Sequence, residues 1–77
     1  MNTYEIGKKA EHICKYLYTN GECSLAELKK KLKFNTKELY LALGWLACED
    51  NIAFYEKEGA QFVFLFIINQ LQDMSLE

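Results

Sequence analysis

Two short amphipathic segments, joined by a very short connection, decide how this chain folds; they occupy residues 24–49, SLAELKKKLKFNTKELYLALGWLACE. Leucines recur at helical spacing in both segments: Leu25, Leu28, Leu32, Leu39, Leu43 and Leu46. Ser24 and Asn35 each precede a segment and have a glutamate three residues later, which is the capping-box pattern that begins a helix. Because so few residues separate the two helices, the stretch predicts a helix-turn-helix.

Residues on both sides complete the architecture. The preceding residues 3–19 carry one apolar stripe at helical spacing, made of Ile6, Ala10, Ile13, Cys14 and Leu17. Asn2 and Glu5 predict a third capping box, Gly21 ends this first helix, and a short extended stretch is expected at residues 22–23. After Asn51 the pattern alternates, which predicts strands over residues 52–56 and 60–68 around a turn containing Gly59.

This order predicts an α+β winged helix-turn-helix fold: three helices followed by a β-hairpin wing in a small antiparallel sheet. A single domain is expected over residues 1–75, with residues 69–75 as a short helical turn. Residues 76–77 resemble the junction to a purification tag.

A family resemblance supports this expectation. The residues that carry it are Ala42-Leu43-Gly44-Trp45-Leu46-Ala47 and Glu49-Asp50-Asn51-Ile52. They resemble the prokaryotic winged helix-turn-helix domains grouped as a family of unknown function, over roughly residues 4–66. The resemblance implies a DNA-binding type of fold. The chain departs from the family pattern at Cys48, where members commonly have a basic residue, and at Asp50-Asn51, where they have Gly-Lys.

Composition narrows the function classes. The chain has 77 residues, 51% hydrophobic and 26% charged, as expected for one globular domain. Neither a signal peptide nor a membrane span is expected, because the longest apolar run, residues 62–68, is far below the roughly 20 residues that a span needs. Three cysteines without a CxxC pair indicate reduced thiols and a cytoplasmic location.

Catalysis and metal binding find no support in the residue pattern. His12 is the one histidine, and Cys14, two positions away on a helix, does not share its face. No catalytic triad, phosphate-binding glycine loop or metal-ligand spacing is present. We expect a protein that is not an enzyme and binds no cofactor or metal.

Charge is unevenly distributed, which suggests where DNA would bind. Residues 21–37 carry five lysines against two glutamates, a net +3, whereas residues 38–59 carry one lysine against five acids, a net −4. The candidate nucleic-acid contacts are Lys29, Lys30, Lys31, Lys33, Lys37 and Tyr40. A solvated helix end, complementing the helix dipole, is the alternative interpretation of these lysines.

The third helix favours a protein contact as much as a DNA contact. Its outward face is expected to hold Lys37, Tyr40, Leu41, Gly44, Trp45 and Cys48. Reading base edges needs Arg, Lys, Asn or Gln, and Lys37 alone qualifies on this face. All nine basic residues are lysines, whereas arginine is the usual bidentate reader of guanine. Alternatively, Tyr40 and Trp45 pack against the hairpin.

The second strand of the hairpin is apolar on both faces, which suggests an interface. The interface candidates are Leu41, Trp45, Tyr55, Phe62, Val63, Phe64, Leu65, Phe66 and Ile67. A homodimer is the expected partner arrangement, and coverage of the strand by the tail through Leu71 and Met74 is the alternative. An unknown protein partner, DNA, and an oxidation sensor acting through Cys48 remain open possibilities.

Overall fold

A computed structural model describes residues 1–66 of the chain. Its elements are α1 (Thr3–Asn20), β1 (Cys23–Ser24), α2 (Leu25–Leu32), α3 (Thr36–Cys48), β2 (Ile52–Lys57) and β3 (Ala60–Leu65). This order and the three-stranded antiparallel sheet confirm the predicted α+β winged helix-turn-helix fold. The predicted end of the domain at residue 75, the helical turn at 69–75 and the tag junction at 76–77 lie outside the described residues.

Two of the three predicted capping boxes are complete. At the start of α1, the Glu5 N–H donates to Asn2 Oδ1 at 2.8 Å, and the Asn2 N–H donates to Glu5 Oε1 at 3.3 Å. At the start of α3, the corresponding distances between Asn35 and Glu38 are 2.8 and 2.9 Å. Each box satisfies two backbone donors locally, which is why both helices begin where the sequence predicted.

The capping box predicted at Ser24 is only half formed. The Glu27 N–H donates to Ser24 Oγ at 3.1 Å, as expected for a helix N-cap. The reciprocal bond is missing, because the Glu27 carboxylate instead accepts a hydrogen bond from the Tyr16 hydroxyl at 2.8 Å. The prediction of a full box was therefore wrong, and the same carboxylate ties α2 to α1.

The turn between α2 and α3 depends on a left-handed residue. Lys33 has φ 60° and ψ 37°, and its N–H donates to the Lys29 carbonyl that the helix end leaves open. The N–H of Phe34 donates to the same carbonyl at 3.2 Å. This reversal turns the chain toward α3 and places Phe34, only 8% exposed, in the core.

The strands pair in the order β1-β3-β2, so β3 is central. β1 lies one residue later than predicted, at Cys23–Ser24, and Phe66 falls outside β3. β2 extends to Lys57, which pairs with Ala60. Glu58 (φ 52°) and Gly59 (φ 82°) are both left-handed, and two such residues are enough to close a hairpin. Lys57, which the sequence placed in the turn, therefore belongs to the strand.

One hydrophobic core joins the helices to the sheet. It contains Ala10, Ile13, Leu17, Cys23, Leu28, Phe34, Leu39, Ala42, Leu43, Leu46, Ile52 and Val63. Every element contributes at least one of these side chains. The helix-turn-helix and the hairpin are therefore held in one fixed relation, which positions the surfaces described next.

Candidate functional site

Five lysines lie together around the helix-turn-helix connection. Lys29, Lys30 and Lys31 occupy the last turn of α2, Lys33 is its C-cap, and Lys37 lies in the first turn of α3. All five are exposed. We call these residues the lysine cluster.

The lysine cluster carries unneutralised charge. Within residues 1–66, ion pairs form between Lys8 and Glu11 at 3.7 Å and between Lys9 and Glu38 at 3.6 Å. No lysine of the cluster forms an ion pair with a described residue. The two acids closest in sequence, Glu27 and Glu38, are bonded elsewhere, so all five positive charges face solvent.

The bonds of those two acids connect the helix-turn-helix to α1. Donation from the Tyr16 hydroxyl to Glu27 raises the pKa of Tyr16 to about 12, since the hydrogen bond favours the protonated phenol. The Asn35 N–H lowers the pKa of Glu38, assisted by Lys9. The Lys9 ammonium also lies 5.0 Å from the ring centroid of Phe34, a cation–π contact.

The outward face of α3 is apolar, as the sequence predicted. Its exposed residues are Lys37, Tyr40, Leu41, Gly44, Trp45 and Cys48. Tyr40 is 57% exposed, Leu41 39% and Trp45 36%. Because Lys37 is the one side chain there suited to base edges, this face has little capacity to read a DNA sequence.

Trp45 lies against α1. A Cβ built on Gly7 would lie 3.7 Å from Cζ2 of the indole ring, so the ring covers the backbone at Gly7. The two helices form a shallow cleft lined by Thr3, Tyr4, Gly7, Lys8, Glu11 and Trp45. This contact was not predicted from the sequence. Its one signal was a glycine inside a predicted helix, where glycine is otherwise unfavourable.

The tip of the wing is acidic. Glu56, Lys57 and Glu58 are all exposed. The Lys57 ammonium lies 5.7 Å from the ring centroid of Phe62. Negative charge at this tip repels phosphate, and Lys57 alone opposes that repulsion.

The two faces of β3 have different surroundings. Val63 is fully buried and Leu65 packs against the core, so Val63 offers no surface to a partner. The other face carries a cluster of half-buried rings: Tyr55, Phe62, Phe64 and Phe66. Its centroid distances are 5.5 Å for Tyr55–Phe62, 6.1 Å for Tyr55–Phe64 and 5.5 Å for Phe64–Phe66. Ile67, the remaining interface candidate, lies outside the described residues.

One ring of this outer aromatic cluster interacts with the segment that precedes β1. A hydrogen bond to the Glu22 carboxylate raises the pKa of Tyr55 to about 12. The two residues are far apart in sequence, so local patterns did not predict this interaction.

Phe54 is a further exposed ring that the sequence interpretation missed. It shares the inward face of β2 with Ile52, because side chains two apart on a strand point the same way. Exposure nevertheless rises from 4% at Ile52 to 43% at Phe54, so the core does not cover this part of the strand. The alternating pattern of apolar residues in the sequence does not indicate where along the strand the core stops covering the side chains.

The cysteines are all free thiols, Cys14 half-buried, Cys23 buried and Cys48 exposed. Burial raises the pKa of Cys23 to about 11. Among residues 1–66, no three His, Cys, Asp or Glu side chains come together as metal ligands do. None of the described helices has the length and apolarity to cross a bilayer.

Comparison with known proteins agrees with the geometry. A family model described as "Winged helix-turn-helix domain (DUF2582)" matches residues 1–65. None of the curated proteins matches the chain.

Proposed function

This chain belongs to the winged helix-turn-helix family DUF2582, and from that premise we propose a non-enzymatic domain of the transcription-regulator type that binds the DNA backbone weakly. The observation that carries the proposal is the lysine cluster, whose five exposed side chains form no ion pair with a described residue. Lysine contacts phosphate as a point charge, so this contact gives affinity without selecting a sequence.

The roles within the proposed site follow from position. Lysines of α2 hold phosphates, while Lys37 and Tyr40, in the first half of α3, lie nearest the groove. Neutralising each phosphate releases counterions, so affinity falls steeply as salt rises. Because the apolar face of α3 offers few base-reading groups, the proposed binding is nearly blind to sequence.

An NMR titration of the labelled chain with a generic DNA duplex tests the proposal, first at roughly 50 mM and then at roughly 200 mM salt. We expect amide shifts confined to residues 29–40 that fade at the higher salt. No shifts at the lower salt would overturn DNA binding.

Matched lysine variants make the test specific to the site. The slope of log affinity against log salt is negative. Replacing Lys30 and Lys31 by Gln should reduce its magnitude by about 2. Replacing Lys8 and Lys15 by Gln removes the same charge from α1 and should leave that slope nearly unchanged. Equal losses in both double variants would mean that net charge, and not the lysine cluster, causes the binding.

Homodimerisation in the cytoplasm completes the proposal. Large apolar side chains remain partly exposed on both the outer aromatic cluster and β2, and such patches are typical of interfaces. Three unpaired thiols suit a reducing compartment. Light scattering at high protein concentration tests the dimer, and a monomeric mass throughout would contradict it.

A second candidate function is a protein-interaction module that keeps the fold without binding DNA. Its support is the exposure of Tyr40, Leu41 and Trp45 on one face of α3. Aromatic side chains are enriched in protein interfaces, where charged ones are depleted. The DNA titration separates the two functions, since an absence of shifts at low salt leaves this one.

A further inference from the structure

β2 is an edge strand with an open side. The sheet order β1-β3-β2 gives it β3 as a neighbour on one side only, and no other described strand covers its outer edge. Such an edge presents unpaired backbone donors and acceptors, which readily pair with another chain.

One hydrogen bond identifies the backbone groups that point outward. The Phe66 N–H donates to the Asn51 carbonyl at 2.9 Å, which is one of the two bonds of a hydrogen-bonded pair next to the β2–β3 ladder, while the Asn51 N–H donates to the Leu46 carbonyl at 3.0 Å. Residues in an antiparallel ladder alternate between bonded and non-bonded pairs. Ala53, Tyr55 and Lys57 therefore direct their backbone groups toward β3, as the Asn51 carbonyl does. Ile52, Phe54 and Glu56 direct theirs to the open edge.

The middle of this edge lacks the features that usually prevent pairing. Proline and charge are the common protections of an edge strand. Residues 52–55 contain neither, and the charges begin only at Glu56. Phe54 exposes 43% of its surface at the centre of the strand.

We propose that β2 pairs antiparallel with β2 of a second copy, around a twofold axis at Phe54, to make one continuous six-stranded sheet. The inference deepens the homodimer part of the proposed function and rests on it. The partner is a second copy of this chain, because the outward-directed backbone donors and acceptors of this edge match those of an identical antiparallel edge.

The backbone geometry selects the register. A twofold axis between two antiparallel strands can pass through a bonded or a non-bonded residue pair, so Ala53, Phe54 and Tyr55 are all candidate centres. Phe54 gives the most backbone hydrogen bonds, because only this centre brings Ile52, Phe54 and Glu56 all into bonded pairs. Phe54 then exchanges two backbone hydrogen bonds with its own copy, and Ile52 and Glu56 of each chain exchange two with the other.

Side chains fit that register on both faces. Phe54 meets Phe54 of the second copy, and aromatic pairs across strands stabilise a sheet. On the other face the small Ala53 meets the large Tyr55 of the second copy, which extends the outer aromatic cluster across the interface. Beyond the strands, Asp50 approaches Glu58 of the second copy, so added salt should strengthen the dimer by screening this repulsion.

Cysteine cross-linking tests the register. In a Cys48→Ser background, Phe54→Cys places two thiols on directly opposed residues, whose Cα atoms in a hydrogen-bonded pair are about 5.5 Å apart, within reach of a disulfide. Glu56→Cys is the matched control on the same edge and face, because its copies would lie roughly 13 Å apart along the strands. We expect a disulfide-linked dimer with Phe54→Cys and none with Glu56→Cys.

Mass measurements separate this inference from the dimer itself. Sedimentation of the unmodified chain should show twice 9.0 kDa at high concentration. Phe54→Lys should weaken the dimer at least about tenfold by placing a charge on the edge, whereas Gln61→Lys, exposed on the central strand, should not.

A dimer that survives Phe54→Lys, or that fails to cross-link through Phe54→Cys, would place the interface elsewhere and overturn the edge inference alone. A chain that stays monomeric would overturn the dimer as well.

Discussion

The helix-turn-helix and the wing carry opposite charge although they share one core. The former presents the five lysines of the lysine cluster, and the latter ends in a tip with two glutamates and one lysine. A winged helix that grips DNA with both parts needs both to attract phosphate. In this chain only the helix-turn-helix does, so we expect the proposed DNA contact to be one-sided, with the acidic wing tip repelled by the phosphates.

Reversing a charge on the wing should give the largest change in DNA affinity. Glu58→Lys should raise DNA affinity several-fold at roughly 50 mM salt and steepen the salt slope by about 1, since a new cation can reach phosphate. Because Glu58 would approach Asp50 of a second copy in the proposed dimer, the affinity is measured at a protein concentration low enough to keep the chain monomeric. Fluorescence anisotropy with a labelled duplex measures both quantities.

Glu11→Lys is the matched control for this charge reversal, because Glu11 is exposed on α1. It changes the net charge equally and should leave the slope nearly unchanged. If Glu11→Lys tightened binding as much as Glu58→Lys, the one-sided contact would be wrong.

Two glycines, one in each region, should respond to alanine with opposite signs. Gly59 in the wing turn has φ 82°, where a side chain costs about 1–2 kcal/mol. Gly44 lies within α3, where alanine should raise the free energy of unfolding by about 0.5–1 kcal/mol. A Cβ meets no atom within 4 Å at either position, so backbone conformation alone decides the sign.

Urea unfolding followed by Trp45 fluorescence measures this pair of effects. A loss of stability at both positions would show that Gly44 serves a contact on the α3 surface that the isolated chain does not reveal.

The two hydrogen-bonded tyrosines should give the smallest effect, confined to alkaline pH. Tyr16 and Tyr55 each have a pKa of about 12, above the ordinary value of about 10, because each hydroxyl donates a hydrogen bond to a carboxylate, which favours the protonated phenol. A raised pKa contributes stability below pH 10, and that contribution is lost as pH rises toward 12. Tyr16→Phe and Tyr55→Phe should therefore differ from the unmodified chain below pH 10, and the difference should shrink above it.

Unfolding curves at a series of pH values test this for each region separately. A difference from the unmodified chain that stayed constant between pH 10 and 12 would mean that neither phenol proton is linked to folding.

Local sequence patterns were enough to predict much of this fold. The order of helices and strands, the caps at Asn2 and Asn35 and the stop at Gly21 all follow from neighbouring residues. Periodicity and capping act over three or four positions, so they can be recognised without knowing what packs on what. The exposure of Tyr40 and Leu41 followed in the same way from the helical stripe of α3.

Contacts between distant residues needed the folded chain. The Glu27 carboxylate accepts a hydrogen bond from Tyr16 and does not complete the cap at Ser24. Trp45 lies over Gly7, and Phe54 is not covered by the core. The neighbouring sequence does not indicate which lysines form an ion pair with a carboxylate and which do not. Each of these outcomes depends on which elements meet in space, because hydrogen bonds, ion pairs and burial act between surfaces that the linear pattern leaves apart.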